Sequence, residues 1–312
     1  MIISASRRTD IPCFYSEWLI NRVREGFVYV RNPMNYHQVS EISLSPEVID
    51  GIVFWTKNPI PMMDKLYTFS EYAYYFQFTL TSYGKDIEGN VPSKNDVIVP
   101  AFQSLSKKIG RERVIWRYDP ILLTEKYTKE YHIEYFEALA KRLSGYTEKC
   151  VISFVDLYRN TRAHMNPNKI LPLSKDDMLC MAMRISDIGQ KYKIRIESCA
   201  EEIDLEMAGI RHGACIDKNL FERLLGCPLD SKKDKNQRTE CGCMESVDIG
   251  LYDTCRNGCL YCYADHSKKT LQKNIALYDP ESPFLCGRAE EGDKITKRAI
   301  KSFITQNTLT FL

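Results

Sequence analysis

The run Arg113-Val-Ile-Trp-Arg-Tyr-Asp-Pro120 carries the organisation of the chain in miniature. Apolar and aromatic side chains fill a segment of strand length, a cation and a carboxylate stand at its carboxyl end, and a proline closes it. Similar segments lie at residues 2–6, 27–31, 52–56, 75–80, 151–155 and 194–198. Between them run stretches of helical period, the clearest at 14–25, 96–109, 128–143 and 174–192. Such alternation predicts βα units around a parallel sheet, seven of them here. Two helices carry punctuation. Ser174 and Asp177 have the spacing of a capping box before Met178, Met181, Ala182 and Ile185, while Gly145 stands just past Ile133, Phe136, Leu139 and Leu143.

Parallel α/β folds place their chemistry at the carboxyl ends of strands. Arg7, Arg8 and Asp10 follow the first segment, Arg31 and Asn32 the second, and Trp55, Lys57 and Asn58 the third. Thr79, Thr81 and Tyr83 follow the fourth, Arg117, Tyr118 and Asp119 the fifth, Asp156 the sixth, and Glu197, Cys199, Glu201 and Glu202 the seventh. Their convergence on one rim predicts a TIM-like (β/α) barrel, complete or partial, with a polar cavity of substrate size. Taken singly, several are ordinary turn residues, since Asn32, Asn58 and Asp119 each precede a proline. As a set, Arg7, Arg31, Lys57 and Arg117 are poor turn formers and expensive to gather without an anionic partner.

The chain has 312 residues, 44% of them apolar and 27% charged, which is enough to bury a sizeable core. Lys and Arg number 43 against 41 Asp and Glu, so the formal charge is +2 and there is no broad basic footprint. Nucleic acid is therefore not the favoured partner. No apolar stretch approaches the roughly 18 residues that span a bilayer. The N-terminus reaches Arg7 with no apolar h-region behind it, unlike a signal peptide. These features predict a cytoplasmic protein without a membrane partner. Against that background 12 cysteines stand out, eight of them between positions 199 and 262. In a reducing compartment such crowding argues for metal or cluster ligation over disulfides.

The run Cys255-Arg-Asn-Gly-Cys259-Leu-Tyr-Cys262 has the spacing C-x3-C-x2-C. Three thiolates on one short loop can hold three irons of a cubane cluster and leave the fourth open. Gly258 lets the backbone fold round such a cluster at low steric cost. The loop resembles that of the radical S-adenosylmethionine enzymes, whose aromatic residue before the third cysteine is matched by Tyr261. Over nearly the whole chain, the runs SASRRTDIP, WRYDP, DIGLYDTC and GCLYCYA are similar to those of a bacterial family of unassigned function with a radical-SAM-like cysteine cluster at its C-terminus. The resemblance implies that Cys255, Cys259 and Cys262 bind a 4Fe-4S cluster within a loop that includes Gly258 and Tyr261. It further implies that S-adenosylmethionine chelates the remaining iron and that a reductant such as flavodoxin or ferredoxin supplies the electron. The implied activity is reductive cleavage of S-adenosylmethionine to a 5′-deoxyadenosyl radical acting on a polar small molecule or nucleotide.

Radical S-adenosylmethionine enzymes carry this loop after their first strand, whereas here only residues 263–312 follow it. The loop is therefore expected on the last strand, at 247–252, of a circularly permuted barrel. That strand would neighbour the first, setting Arg7, Arg8 and Asp10 where relatives hold the cofactor's amino acid moiety. Arg117, Asp119 and Glu197 complete the catalytic candidates. The residues also admit a structural zinc site, completed by His266, Cys241 or Cys243, in a barrel that binds or hydrolyses a small molecule with Asp10, Asp119, Glu197 and Glu201. A non-catalytic iron–sulfur electron carrier is a further reading, and thiol chemistry at Cys259 and Cys262 leaves Cys255 unexplained.

Cys199, Cys215, Cys241 and Cys243 could form a second iron–sulfur cluster or zinc site, or be four buried thiols. Cys13, Cys150, Cys180, Cys227 and Cys286 read as ordinary thiols, and His132 as a helix residue that packs or faces solvent. In domain terms, residues 1–228 hold the seven βα units. Residues 229–265 combine a charged linker, LDSKKDKNQRTE, with the cysteine-rich segment that completes the barrel. Residues 266–312 form a tail with Ile295, Ala299, Ile300, Phe303 and Ile304 at helical spacing, packing back on a single structural domain.

Overall fold

In the computed structural model, which describes residues 1–155 and 170–305, six of the seven expected segments become strands of one parallel sheet. In chain order the strands are β1 (Ile2–Ala5), β2 (Phe27–Asn32), β3 (Asn35–Ser43), β4 (Gly51–Thr56), β5 (Tyr74–Thr79), β6 (Val114–Ile121), β7 (Lys149–Phe154), β8 (Arg195–Ser198), β9 (Arg211–His212), β10 (Val247–Asp248) and β11 (Lys294–Lys297). Eight of them form the main sheet in the order β10-β1-β4-β5-β6-β7-β8-β9. The helices are α1 (Ile11–Phe14), α2 (Ser16–Glu25), α3 (Ile60–Met63), α4 (Val99–Ile109), α5 (Lys129–Leu143), α6 (Lys175–Tyr192), α7 (Lys218–Leu225) and α8 (Lys268–Ala276).

Both faces of the main sheet are covered, which is why its strands read as nearly continuous apolar runs. One face carries Phe54, Phe76, Trp116 and Ile152 under the helices, and Trp116 stacks on Phe136 of α5 with ring centroids 4.7 Å apart. The other carries Ile2, Val53, Tyr75, Ile115 and Val151. This second face is filled by the chain itself, through Ile216, Leu220 and Phe221 at α7 together with Met244 and Phe303. The capping box at Ser174 and Asp177 forms as expected. His132 is fully buried, with Nε2 2.9 Å from the Leu122 carbonyl and Nδ1 2.8 Å from the Tyr118 hydroxyl, and so is a packing residue.

Three findings narrow or correct the expectations. Among the described residues the barrel expected complete or partial is an open parallel sheet, with β9 and β10 at its two edges and not paired with each other. Secondly, 27–31 is no barrel strand: β2 pairs antiparallel with β3 across Pro33 and Met34, since a tight turn can join only antiparallel neighbours. Arg31 accordingly leaves the rim and forms a bidentate pair with Asp293, at 2.7 and 2.8 Å. Thirdly, the tail around Ile295 is strand β11, parallel to β3, although Phe303 does pack back into the core.

The pairing expected of the strand that precedes the cysteine loop is present. Parallel β10 lies against β1, with Ile3 opposite Val247 and Ser4 opposite Asp248. Among the described residues no helix is long and apolar enough to cross a membrane. Asp156 lies outside the described residues.

Beneath Phe221 a Cβ on Gly51 would sit 2.1 Å from the ring. Gly51→Ala should therefore cost about 1–3 kcal/mol by overpacking. Adding Phe221→Leu should recover part of that loss in a double-mutant cycle read by urea denaturation.

Candidate functional site

Two carboxylates fasten the first strand's loop to the cysteine loop. Asp248 accepts from Ser4 Oγ at 2.9 Å, Ser6 Oγ at 2.7 Å, the Arg7 backbone N–H at 2.8 Å and the Gly250 N–H at 3.0 Å. Gly250 must be small, because a Cβ there would lie 2.0 Å from Ser6 Oγ. Asp10 caps α1 through the Cys13 N–H at 3.1 Å, and its other oxygen accepts from the Lys57 N–H at 2.8 Å and Asn257 Nδ2 at 3.0 Å. Its carboxyl is nevertheless pushed above the usual range, because burial outweighs these donors. One side chain thus joins the ends of β1 and β4 to the cysteine turn.

That turn is clamped from its other side by residues 87–90. Leu260 N donates to the Ile87 carbonyl at 3.0 Å, Asn90 N to the Asn257 carbonyl at 3.0 Å, and Asn90 Nδ2 to the Arg256 carbonyl at 2.8 Å. Gly258 takes φ +65°, where a side chain would be strained and its Cβ would meet Asn90 at 3.1 Å. Tyr261 is anchored rather than free. Its hydroxyl donates to Glu88 and accepts from Lys57 Nζ at 2.8 Å.

Glu88 is the centre of a buried charge network. Lys57 Nζ lies 2.7 Å and Lys94 Nζ 2.6 Å from its two oxygens, and Thr81 donates at 2.9 Å. Burial disfavours the carboxylate, but the two ammonium groups outweigh it and hold the group at about 2. Arg117 is likewise paired internally, with both oxygens of Asp119. Arg7 differs. Its Nη2 is buried and makes no hydrogen bond, and its guanidinium lies over the Trp55 ring, 5.6 Å from the centroid.

These groups open on one cavity of about 720 Å³ at the carboxyl ends of the strands. Arg7, Arg8, Asp10, Arg117 and Asp119 line it, and so do Cys255, Cys259, Tyr261 and Cys262. Cys199, Cys215, Cys241 and Cys243 line the same cavity, so the two cysteine groups distinguished in the sequence share one space. Glu197 does not join them. It is held by Lys149 and Arg195, each at 2.9 Å, on the sheet below, so its position is that of a structural ion-pair partner. Gly258 shapes the turn without lining the cavity. The charged linker is no free tether either, since Gln237 and Arg238 line the cavity wall.

Burial pushes the Cys255 thiol up to about 12 and also raises Cys259 and Cys262, which lie within electrostatic reach of one another. Cys241 alone is lowered, to about 7, through its contact with Cys243. Among the described residues no three His, Cys, Asp or Glu side chains stand gathered in the shell of a single ion.

A family described as a domain of unknown function, DUF1848, matches residues 2–264. The chain belongs to the DUF1848 family. The DUF1848 region takes in the main sheet, both cysteine groups and the cavity lining except His266, and stops before α8 and β11. Among curated proteins none matches the chain. A solved structure from Bacteroides thetaiotaomicron VPI-5482, provisionally described as an alpha-L-fucosidase, is similar at 11% identity and a TM-score of 0.26, covering 69% of this chain and 82% of that one. A likeness this weak carries no argument about fold or activity.

Asp248, Gly250, Asn257, Glu88 and Lys94 were not singled out in the sequence. Asp248 and Gly250 fall in the DIGLYDTC run, so that signal was present, whereas nothing local marks Glu88 or Lys94.

Because the folded Glu88 carboxyl is depressed, its stabilising contribution is present above the ordinary carboxylate range and is lost as pH falls through about 2. Glu88→Gln should cost about 3–5 kcal/mol at neutral pH by leaving Lys57 and Lys94 short of a counter-charge. It should also flatten the loss of stability below pH 4.5, as read by urea denaturation at successive pH values.

Proposed function

We propose that this protein is a radical S-adenosylmethionine-like enzyme whose Cys255, Cys259 and Cys262 hold a 4Fe-4S cluster at the cavity rim. The observation that carries the reading is the placement of these three thiols beside the Arg7–Asp10 loop in one cavity. It follows from the parallel pairing of β10 with β1. The donor set fits the group. A cubane takes one thiolate per iron, so three thiols on a turn can serve it without sharing the shell of one ion, and the fourth iron stays open. When bound, the cluster and S-adenosylmethionine would together supply one-electron hydrogen-abstraction chemistry.

The chain's own side chains have definable tasks in this reading. Lys57, fixed by Glu88, places a positive charge next to Cys259 and offsets the negative charge of the thiolates. Arg7 offers a buried Nη2 without a hydrogen-bond partner, suited to the carboxylate of the cofactor's amino acid moiety. Asp10 positions the turn through Asn257. Arg117 and Asp119 line the same cavity, where a polar small molecule or nucleotide would face them. A cavity of about 720 Å³ lies within the ordinary range for such ligands. A flavodoxin or ferredoxin would serve as the electron donor.

Protein reconstituted without oxygen should bind about four irons with matching sulfide at this loop, and should release 5′-deoxyadenosine from S-adenosylmethionine on reduction. Replacing Cys255, Cys259 and Cys262 together with alanine should remove about four irons and abolish the release. Unchanged iron and product in that variant, or zinc without sulfide at the loop, would overturn the reading.

A further inference from the structure

Cys199 follows β8, Cys215 follows β9 and Cys241 and Cys243 follow the charged linker, so three separate segments deliver four thiols. We propose that Cys199, Cys215, Cys241 and Cys243 bind a second, thiolate-held metal centre, a zinc ion or an iron–sulfur cluster, in the cavity they share with the Cys255–Cys262 turn. The inference stands whether or not the radical reading does.

Cys199 Sγ and Cys215 Sγ are 3.0 Å apart, and the Ile216 N–H next to Cys215 reaches Cys243 Sγ at 3.3 Å. A tetrahedral ion with metal–sulfur bonds of about 2.3 Å sets its sulfurs about 3.8 Å apart, wider than the Cys199–Cys215 contact. Among the described residues the thiols do not surround one centre, and side-chain rotation is what would convert them into a shell.

The backbone is shaped to bring these segments together. A Cβ on Gly242 would lie 3.0 Å from the Gly213 carbonyl oxygen, so glycine lets the Cys241-Gly-Cys243 turn seat against residues 213–215 without crowding. Met244 N then donates to the Ile216 carbonyl at 3.1 Å, and Tyr75 Oη and Gln77 Nε2 both donate to the Cys215 carbonyl at 2.7 Å.

The surroundings suit sulfur that carries negative charge. Arg117 Nη1 donates to Cys215 Sγ at 2.7 Å, and the Ile216 N–H donates to Cys243 Sγ at 3.3 Å. N–H donors to metal-bound sulfur orient the ligands and tune the centre. Arg7 stands within electrostatic reach of Cys243 and Cys215. Four thiolates around a divalent ion leave a net charge of −2, facing two guanidinium groups, one of which also serves Asp119.

The test uses the full chain with Cys255, Cys259 and Cys262 replaced by alanine, so that remaining metal reports the four-cysteine site alone. Purified without oxygen and with an unchanged far-ultraviolet circular dichroism spectrum, this variant should retain about one zinc, or iron with matching sulfide, per chain. After metal removal, added cobalt(II) alone should give the thiolate-to-cobalt absorption of a tetrahedral sulfur site. In the otherwise wild-type chain, Cys241→Ser with Cys243→Ser should lower total metal by the same amount and leave the loop's iron in place, which keeps the test open should the alanine variant not fold. A folded alanine variant that is metal-free as purified and silent to cobalt would overturn the proposal. So would a Cys199–Cys215 disulfide in peptides mapped from freshly purified protein.

Discussion

The carboxylate of Asp248 is the fastening on which the arrangement of the cavity depends. It accepts hydrogen bonds from Ser4, Ser6, Arg7 and Gly250, and so locks the two-residue β10 to the first strand of the chain. A strand that short contributes little ladder of its own. The side-chain bonds compensate, and they bring together residues more than 240 positions apart. Loop-closure entropy grows only with the logarithm of length, so such a distant closure is affordable once a few good bonds form. Asp10 repeats the device one layer higher, with Asn257 and the Lys57 backbone as donors. Neither carboxylate needs a cation partner, because hydrogen-bond donors satisfy each in place of water.

Charge on the concave side of the sheet is otherwise handled by internal ion pairs. Lys149 lies between Glu197 and Asp217, Arg117 against Asp119, and Lys57 and Lys94 on Glu88. Pairs of this kind stabilise little in net terms, because desolvation cancels most of the attraction, but removing one member is costly. Their effect is to fix the position of each group. Lys57 and Arg117 at the rim thus have their anions built in, as does Arg31 away from it, and Arg7 is the exception among the four. A cavity wall of positioned charges and thiols, with one uncommitted guanidinium nitrogen, is polar at the front and apolar behind, where Tyr75, Ile115 and Phe221 pack.

The convergence of seven cysteines on one cavity follows from the same topology. The edges β9 and β10 do not pair, yet the segments after them fold over the concave side and bring Cys215 and Cys243 together. An open sheet plugged by its own chain therefore does the work that closure does in a full barrel. The glycines at 51, 213 and 250 mark where that plug and the β10 connection approach the sheet too closely for a side chain.

Local sequence determined the strands whose apolar runs end in charge, such as the Arg113–Pro120 stretch. It also determined the capping of α6 and the grouping of Cys255, Cys259 and Cys262 on one turn with Gly258 at its bend. These rest on periodicity and spacing over a few residues, which a chain carries wherever it folds. Local pattern gave β2 to the main sheet, because a short apolar run does not say which sheet it joins; it read the β11 region at helical spacing, and it placed Glu197 at the rim when its partner is Lys149. Only the tertiary structure decided that the sheet stays open, that Glu88 gathers two lysines and Tyr261, and that the four upstream thiols line one cavity with the cysteine turn. Those outcomes depend on contacts between segments tens to hundreds of residues apart, where the deciding quantity is the fit of one surface on another and no local periodicity records it.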